Sequence, residues 1–171
     1  LYEVAKALKY AHDKKVIHRD IKPGNILISR QGEVKLVDFG IATSQEETED
    51  GLTRDGMVLG TPSYIPPEQI ADARNVDKRA DIYSLGVVLY KLLVGTLPID
   101  PGTSSSDPSD YRRRLQLGNP LRPSTQFSRL GDDSQRVAER RGTEPRALAR
   151  TLRGDLDWIT MKALEPDRER R

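Results

Sequence analysis

A short polar loop near the start of the chain carries side chains that could catalyse phosphoryl transfer. Asp20, Lys22 and Asn25 lie in this loop, and Asp38 follows shortly afterwards. Asn25 and Asp38 offer hard oxygen ligands, which Mg²⁺ takes together with phosphate oxygens and water. Lys22 supplies a positive charge for phosphate, and Asp20 could accept the proton of an attacking hydroxyl. The residue types therefore predict half of a phosphoryl-transfer site.

A β-hairpin is predicted to bring these side chains together. Residues 26–28 and 34–37 are rich in β-branched and aliphatic side chains, and the turn between them contains Gly32. A hairpin places its two ends side by side. We therefore expect the loop before Ile26 and the segment that begins at Asp38 to emerge near one another.

Helical patterns surround the hairpin. Apolar residues at positions 1, 4, 5, 8 and 11 predict an amphipathic helix. Residues 77–95 predict a helix that is apolar on nearly all sides and so belongs in the middle of a domain. Residues 136–153 predict an Arg-rich helical stretch, and residues 156–164 a final helix with Trp158 and Ile159 facing the core. We predict a mobile acidic loop over residues 43–55 and mostly irregular structure over 98–123, with a short helix at 111–117.

Composition excludes several classes of protein. The 171 residues contain 28 Lys plus Arg, 26 Asp plus Glu and no Cys. The absence of Cys excludes disulfides, Cys-ligated zinc and thiol catalysis, and it fits a cytoplasmic location. No apolar run approaches the ~20 residues of a membrane-spanning helix. The net charge of +2 is too small to indicate a nucleic-acid partner.

Five motifs in this order resemble the catalytic domain of eukaryotic-type serine/threonine protein kinases, in a form similar to bacterial members. They are His18-Arg19-Asp20 through Asn25, the hairpin, Asp38-Phe39-Gly40, Gly60-Thr61-Pro62 with Pro66-Pro67-Glu68, and the apolar helix that contains Asp81. The resemblance implies the C-terminal lobe of that fold, mainly α with a small β-hairpin (α+β). The N-terminal lobe is expected to be absent from this chain and to be a partner supplied by the same protein.

The resemblance implies a role for each residue of the polar loop. Asp20 would be the catalytic base and Lys22 would contact the transferred phosphate, while Asn25 and Asp38 would hold Mg²⁺ or Mn²⁺. Leu27 would lie against the adenine ring of ATP. The protein would then phosphorylate Ser or Thr hydroxyls of protein substrates, and it would use ATP.

The resemblance also implies structural and regulatory residues. His18 and Phe39 would stack on each other, with Gly40 completing the metal-binding motif. Arg19 would pair with a phosphate on the acidic loop, for which Thr53 is the best candidate. Thr61 would mark the serine/threonine branch of the family. Glu68 would pair with Arg171. Asp81 would hydrogen-bond the backbone of the catalytic loop.

Two departures from the family pattern stand out. Pro66 occupies a position where the family usually has a small residue, and a second Pro fixes another φ angle. The 171 residues also contain no glycine-rich loop, no strand lysine for the α- and β-phosphates and no partner glutamate. We therefore expect a partial kinase domain over residues 1–171 that is inactive alone. Its predicted parts are the catalytic segments (1–95), an irregular Arg- and Pro-rich insert (96–155) and a terminal helix (156–171).

Other interpretations remain open at this point. The chain could be a catalytically idle scaffold that binds a protein through its basic second half, or a small-molecule phosphotransferase of related fold. Asp81 could be an interior carboxylate or an exposed residue of the first helical turn; its apolar neighbours favour the interior. The arginines of residues 112–114 and 136–153 are expected to form a solvated face.

Overall fold

Helices make up most of the structure. The computed structural model describes residues 1–40, 62–99, 113–115 and 118–171. The helices longer than one turn in these ranges are α1 (Tyr2–Asp13), α2 (Pro67–Ala71), α3 (Lys78–Val94), α4 (Pro123–Ser128), α5 (Asp133–Glu139), α6 (Pro145–Leu152) and α7 (Asp155–Ala163). The described residues form one antiparallel sheet, of strands β1 (Ile26–Ile28) and β2 (Val34–Leu36). The predicted fold class, mainly α with a small hairpin, is confirmed.

Helix α3 is the centre of the core, and its ends are those that the sequence predicts. The Asp77 side chain caps the N-terminus by accepting a hydrogen bond from Arg79 N at 2.8 Å. Gly95 ends the helix in the left-handed conformation, with φ +90°. Both faces of α3 bury side chains, although Ile82 and Leu92 are 38% and 55% exposed. Within the described ranges no helix has the length and apolar character needed to cross a membrane.

The hairpin brings its two ends together as predicted. Ile26 pairs with Leu36, and Ile28 pairs with Val34. At the open end, Val37 N donates to Asn25 O at 3.0 Å. The polar loop and the segment beginning at Asp38 therefore leave the hairpin next to each other.

Helix α7 packs through a different face from the one predicted. Trp158 is 67% exposed and Ile159 is 46% exposed, so the prediction that they face the core is wrong. The buried stripe instead contains Asp157, Thr160 and Leu164, which are spaced as one helical face. The reason is that α7 lies close to α3 at Gly86, where a Cβ atom would come within 2.8 Å of the Ala163 Cβ.

The Arg-rich helical stretch predicted over residues 136–153 is formed by two helices, α5 and α6. Gly142, with φ +62°, and Pro145 at the start of α6 separate α5 from α6. With α4, these helices cover residues 123–128, 133–139 and 145–152, so the insert expected over 96–155 contains short helices joined by non-helical segments. Arg141 also departs from the expected solvated face: its Nε donates to Leu92 O at 2.9 Å near the end of α3. Burial, with a smaller contribution from neighbouring Arg140, lowers the pKa of Arg141.

The C-terminal residues return to α2 and α3. The side chain of Arg171 is fully buried and forms a bidentate ion pair with Glu68. Nη1 bonds to Oε1, and Nη2 donates to Oε2 at 2.6 Å. Nη1 also donates to Arg79 O at 3.0 Å, and the guanidinium lies 4.9 Å from the centre of the Tyr83 ring. This arrangement fixes the start of α2 against α3.

The capping residue Asp77 is held in its ionised form. Side-chain hydrogen bonds from Arg79 lower the pKa of Asp77 to about 2. Arg79 also bonds to Glu169, with Nη1 2.7 Å from Oε2. Helix α3 is thus tied to the C-terminal residues at its first turn.

Replacement of Arg171 by Lys should destabilise the protein, because an ammonium group cannot make the two parallel bonds to Glu68 in a buried position. We expect the free energy of unfolding to fall by about 2 kcal/mol in urea denaturation followed by circular dichroism. Arg170→Lys is the matched control: its side chain is 68% exposed and lies 3.6 Å from Glu165, so a change below about 0.5 kcal/mol is expected. Equal effects of the two substitutions would contradict the role given to the buried pair.

The Asp77 carboxylate should contribute to stability in a defined pH range. Because its pKa in the folded protein lies below the value near 4 of an unfolded chain, the contribution is complete above about pH 4. It is lost as the pH falls through about 2. The carboxylate is 40% exposed, so solvent screening limits the effect to about 1 kcal/mol. The free energies of unfolding of wild type and Asp77→Asn, measured by urea denaturation, should differ at pH 6 and converge near pH 2. A difference that stays constant over this range would contradict the explanation.

Candidate active site

A buried carboxylate positions the polar loop. Asp81, on the first turn of α3, is 1% exposed, which decides between the two interpretations of this residue in favour of the interior. Its Oδ1 accepts a hydrogen bond from Arg19 N at 2.8 Å. Its Oδ2 accepts one from His18 N at 2.9 Å and lies 2.8 Å from His12 Nε2. The backbone just before Asp20 is therefore bound to α3.

His18 connects this loop to the segment after the hairpin. Its ring is fully buried and lies 4.5 Å, centre to centre, from the ring of Phe39. Nε2 is 3.0 Å from Val37 O, and Nδ1 accepts a hydrogen bond from Asp20 N at 3.3 Å. Nε2 must then carry the hydrogen, because a carbonyl oxygen can only accept. The ring is thus fixed in position between the two segments.

Gly40 closes the contact between the same two segments. Its N–H donates to His18 O at 2.9 Å. A Cβ atom at this position would lie 2.8 Å from the same oxygen, so the approach requires glycine. Asp38 and Phe39 are therefore held beside the polar loop by backbone contacts.

The three polar side chains of the loop bind one another. Asp20 Oδ2 lies 2.7 Å from Lys22 Nζ and accepts a hydrogen bond from Asn25 Nδ2 at 2.9 Å. Asn25 Nδ2 also donates to Asp20 O at 2.8 Å, and Asn25 is buried. The Asp20 side chain is 46% exposed, so it is both fixed and accessible to a substrate.

The oxygen atoms that remain fit a divalent cation. Since Asn25 donates through Nδ2, its carbonyl oxygen is the atom left to bind a cation. Asp38 is exposed and adopts a left-handed backbone with φ +58°, a conformation that Asp tolerates better than most residues. Among the described residues no group of three or more His, Asp or Glu side chains is arranged so that it could hold a metal ion by itself. One amide and one carboxylate suit Mg²⁺, which usually keeps water and phosphate oxygens among its ligands. Leu27, on β1 beside this site, is 51% exposed.

The segment around α2 also contacts the polar loop. Pro66 is buried with φ −71°, the angle that proline prefers, so the family departure at this position is accommodated without strain. Gln69 Nε2 donates to Arg19 O at 3.1 Å, and Glu68 binds Arg171 as described above. Thr53 and Thr61 lie outside the described residues.

Two residues that the sequence analysis did not identify contribute to this arrangement. His12 contacts Asp81 across 69 positions of sequence, and Gln69 contacts Arg19 across 50. No local pattern marks either contact, because each depends on how α1 and α2 lie against the loop. The one available signal for His12 was its place in the last turn of α1, a few residues before His18. Arg19 itself forms no side-chain ion pair within the described ranges.

Comparison with known proteins gives one family. The family described as "Protein kinase domain" matches residues 1–137. A probable serine/threonine-protein kinase PknB of Bifidobacterium longum is 50% identical over 95 residues, which cover 56% of this chain and 14% of that protein. The serine/threonine-protein kinase PknB of Mycobacterium tuberculosis is 38% identical over 135 residues, or 79% of this chain and 21% of that protein.

The chain is thus similar to bacterial serine/threonine kinases, although it spans only about a fifth or less of the length of these relatives. The family match covers most of the chain and includes the loop, the hairpin and α3, whose geometry is described above. On this evidence the chain belongs to the protein kinase family.

Proposed function

We propose that the protein containing this chain transfers the γ-phosphate of ATP to Ser or Thr hydroxyls of protein substrates. The observation that carries the proposal is the fixed position of the Asp20 carboxylate, bound by Lys22 Nζ at 2.7 Å and Asn25 Nδ2 at 2.9 Å. The serine/threonine kinases among its relatives support the same conclusion. A scaffold without activity would have no use for this arrangement.

In this proposal each side chain has one task. The substrate hydroxyl oxygen attacks the γ-phosphorus, the bond from that phosphorus to ADP breaks, and Asp20 accepts the hydroxyl proton. Within the described structure Oδ2 of Asp20 is bound to Lys22 and Asn25, which leaves Oδ1 for the proton. Lys22 lies against the transferred phosphoryl group and offsets its charge. Asn25 and Asp38 would hold Mg²⁺, which neutralises charge on the phosphate oxygens. Leu27 provides an exposed apolar side chain for the adenine ring.

We further propose that activity requires parts that the 171 residues do not contain. A glycine-rich loop and a strand lysine position the phosphates in this family, and neither motif occurs here. Because catalysis of phosphoryl transfer depends mainly on positioning and charge, the chain alone should be inactive. Phosphate on the acidic loop, with Thr53 the best candidate, would bind Arg19, whose guanidinium has no ion pair within the described structure.

A fusion protein tests this proposal. The residues that precede the matching segment in the Bifidobacterium longum relative would be joined ahead of Leu1, and labelled phosphate from ATP would be followed into protein. We expect labelling of Ser and Thr with Mg²⁺, and a fall of about 100-fold or more in Asp20→Asn, because Asn cannot accept the proton. Asp13→Asn, which removes only an exposed carboxylate paired with Lys9 at 2.7 Å, should leave the rate unchanged.

Two results would contradict the proposal. Labelling that persists in Asp20→Asn would assign the base to another residue. A folded fusion that binds ATP and transfers no phosphate to protein would favour the idle scaffold, or the small-molecule phosphotransferase if a small acceptor were labelled instead.

A further inference from the structure

We infer that α6 carries a docking site for an acidic segment of a protein substrate. Arg146, Arg150 and Arg153 recur along this helix and its end at i, i+4 and i+7, the spacing of one helical face. Together they form what we call the arginine stripe. The match to the protein kinase family ends at residue 137, so the stripe is additional to the site described above. The identification of the partner as a substrate rests on the proposed function, whereas the binding of an acidic segment does not.

The packing of α6 fixes the stripe at the surface. Leu148 and Leu152, on the opposite face of the helix, are 7% and 0% exposed and belong to the hydrophobic core. The helix also packs against α4, α5 and α7. All three arginines of the stripe are exposed. The stripe is therefore mounted on a helix with a fixed position, and its charges point to solvent.

The stripe has no acidic partner in the part of the chain that the structure describes. None of its arginines forms an ion pair or a side-chain hydrogen bond with a described residue. By contrast, Arg136 on the neighbouring helix lies 2.9 Å from Asp133. Like charges one turn apart on a helix repel each other, so the stripe destabilises α6 as long as no anion lies against it. A bound carboxylate from another molecule would remove this repulsion.

The dimensions of the stripe fit a short acidic peptide. From its first to its last arginine the stripe extends over seven residues, which corresponds to about 10 Å of helical rise. Alternate side chains of an extended peptide lie about 6.6 Å apart on one side. Three acidic residues at alternate positions therefore span about 13 Å, a length that flexible arginine side chains can match. Each guanidinium can donate two parallel hydrogen bonds to a carboxylate.

An exposed tryptophan near the end of the stripe favours a protein partner. Trp158 is 67% exposed, and its backbone N–H donates to Gly154 O at 2.9 Å. Gly154 directly follows Arg153, so Trp158 lies about one helical turn from the stripe. Trp and Arg are among the residue types that contribute most to binding energy between proteins.

Other anionic partners fit the stripe less well. A helix that binds a membrane surface inserts its apolar face into the lipid, but the apolar face of α6 lies in the core of the protein. Nucleic acids are bound through many phosphate contacts on a strongly basic surface, whereas the net charge of the chain is only +2. Three arginines on one short helix match a short acidic segment better than a long polyanion.

Fluorescence anisotropy of the 171-residue chain tests the inference without any requirement for kinase activity. The probe is a labelled peptide with three glutamates at alternate positions, and the reference is the same peptide with three glutamines. At low salt the acidic peptide should bind at least tenfold more tightly than the reference, and added salt should reduce the difference. The combined substitutions Arg146→Gln, Arg150→Gln and Arg153→Gln should weaken binding of the acidic peptide about tenfold.

A matched control changes the net charge by the same amount outside α6. The combined substitutions Arg30→Gln, Arg122→Gln and Arg129→Gln replace three exposed arginines and should leave binding as in wild type. Equal losses in the two variants would overturn the inference, because binding would then depend on total charge only. Tighter binding to a single-stranded oligonucleotide or to phosphatidylglycerol vesicles than to the acidic peptide would overturn it as well.

Thermal unfolding separates docking from a structural role. The melting temperature of the stripe variant should equal or exceed that of wild type, because the substitutions remove repulsion between like charges. A lower melting temperature would show that the arginines bind groups of this chain, which would overturn the inference.

In the active fusion described above, the stripe should act on the choice of substrate. A serine peptide joined to the three glutamates by a flexible linker should show a KM about tenfold higher with the stripe variant, while kcat and the KM for ATP stay unchanged. An unchanged KM for this peptide would contradict the assignment of the partner as a substrate. A fusion that transfers no phosphate would count against the proposed function, and the anisotropy result would decide the docking site separately.

Discussion

A single buried negative charge, the carboxylate of Asp81, connects the catalytic loop to the centre of the molecule. Burying this charge costs free energy, and the cost is offset by donors from two different elements, α1 and the loop. Each donor is thereby held at a fixed distance from α3. The loop thus gains a defined position although the side chains of Asp20 and Lys22 stay partly exposed, and the roles proposed for these two residues depend on that position.

Helix α3 also holds other segments in place, because it carries hydrogen-bonding groups on more than one side. Near its start the Arg79 carbonyl accepts from Arg171, which also holds Glu68. One turn beyond Asp81, Ser84 Oγ donates to Tyr64 O at 2.7 Å and fixes the segment before α2. The catalytic loop and the segment expected to bind substrate are consequently positioned against the same helix, which limits their movement relative to each other.

Sequence patterns predicted the parts of the fold that depend on neighbouring residues. Asp77 and Gly95 mark the ends of α3 because a capping side chain and a left-handed glycine act locally. The hairpin was predicted from two β-prone runs of residues with a glycine-containing turn between them. Burial of Trp158 was predicted wrongly, because helical spacing gives the faces of a helix but not which face meets a neighbour. That choice depended on the missing side chain of Gly86, on another helix.

The residues of the candidate site were predicted, and so was part of their support: Asp81 binds the loop backbone and His18 lies against Phe39, as the family resemblance implied. Asp20, Lys22 and Asn25 lie within one short loop, so their proximity follows from sequence. His12 and Gln69 reach the loop across long separations, and only the packing of α1 and α2 brings them there. Contacts of this kind leave no periodic or local signal, which is why the sequence could not reveal them.

The side chains proposed to react are exposed, whereas the side chains that hold them in place are buried. Asp20 is 46% exposed and Asp38 is exposed, which the contacts proposed for them with a substrate and a nucleotide require. An exposed side chain cannot be fixed by its own burial, so its backbone must be fixed instead. Here that is done by His18 and Asp81, which are 0% and 1% exposed, and by left-handed backbone at Arg19 and Asp38. Because both left-handed residues adjoin contacts of His18, a change in the surroundings of that one buried ring should displace the carboxylates of Asp20 and Asp38 together.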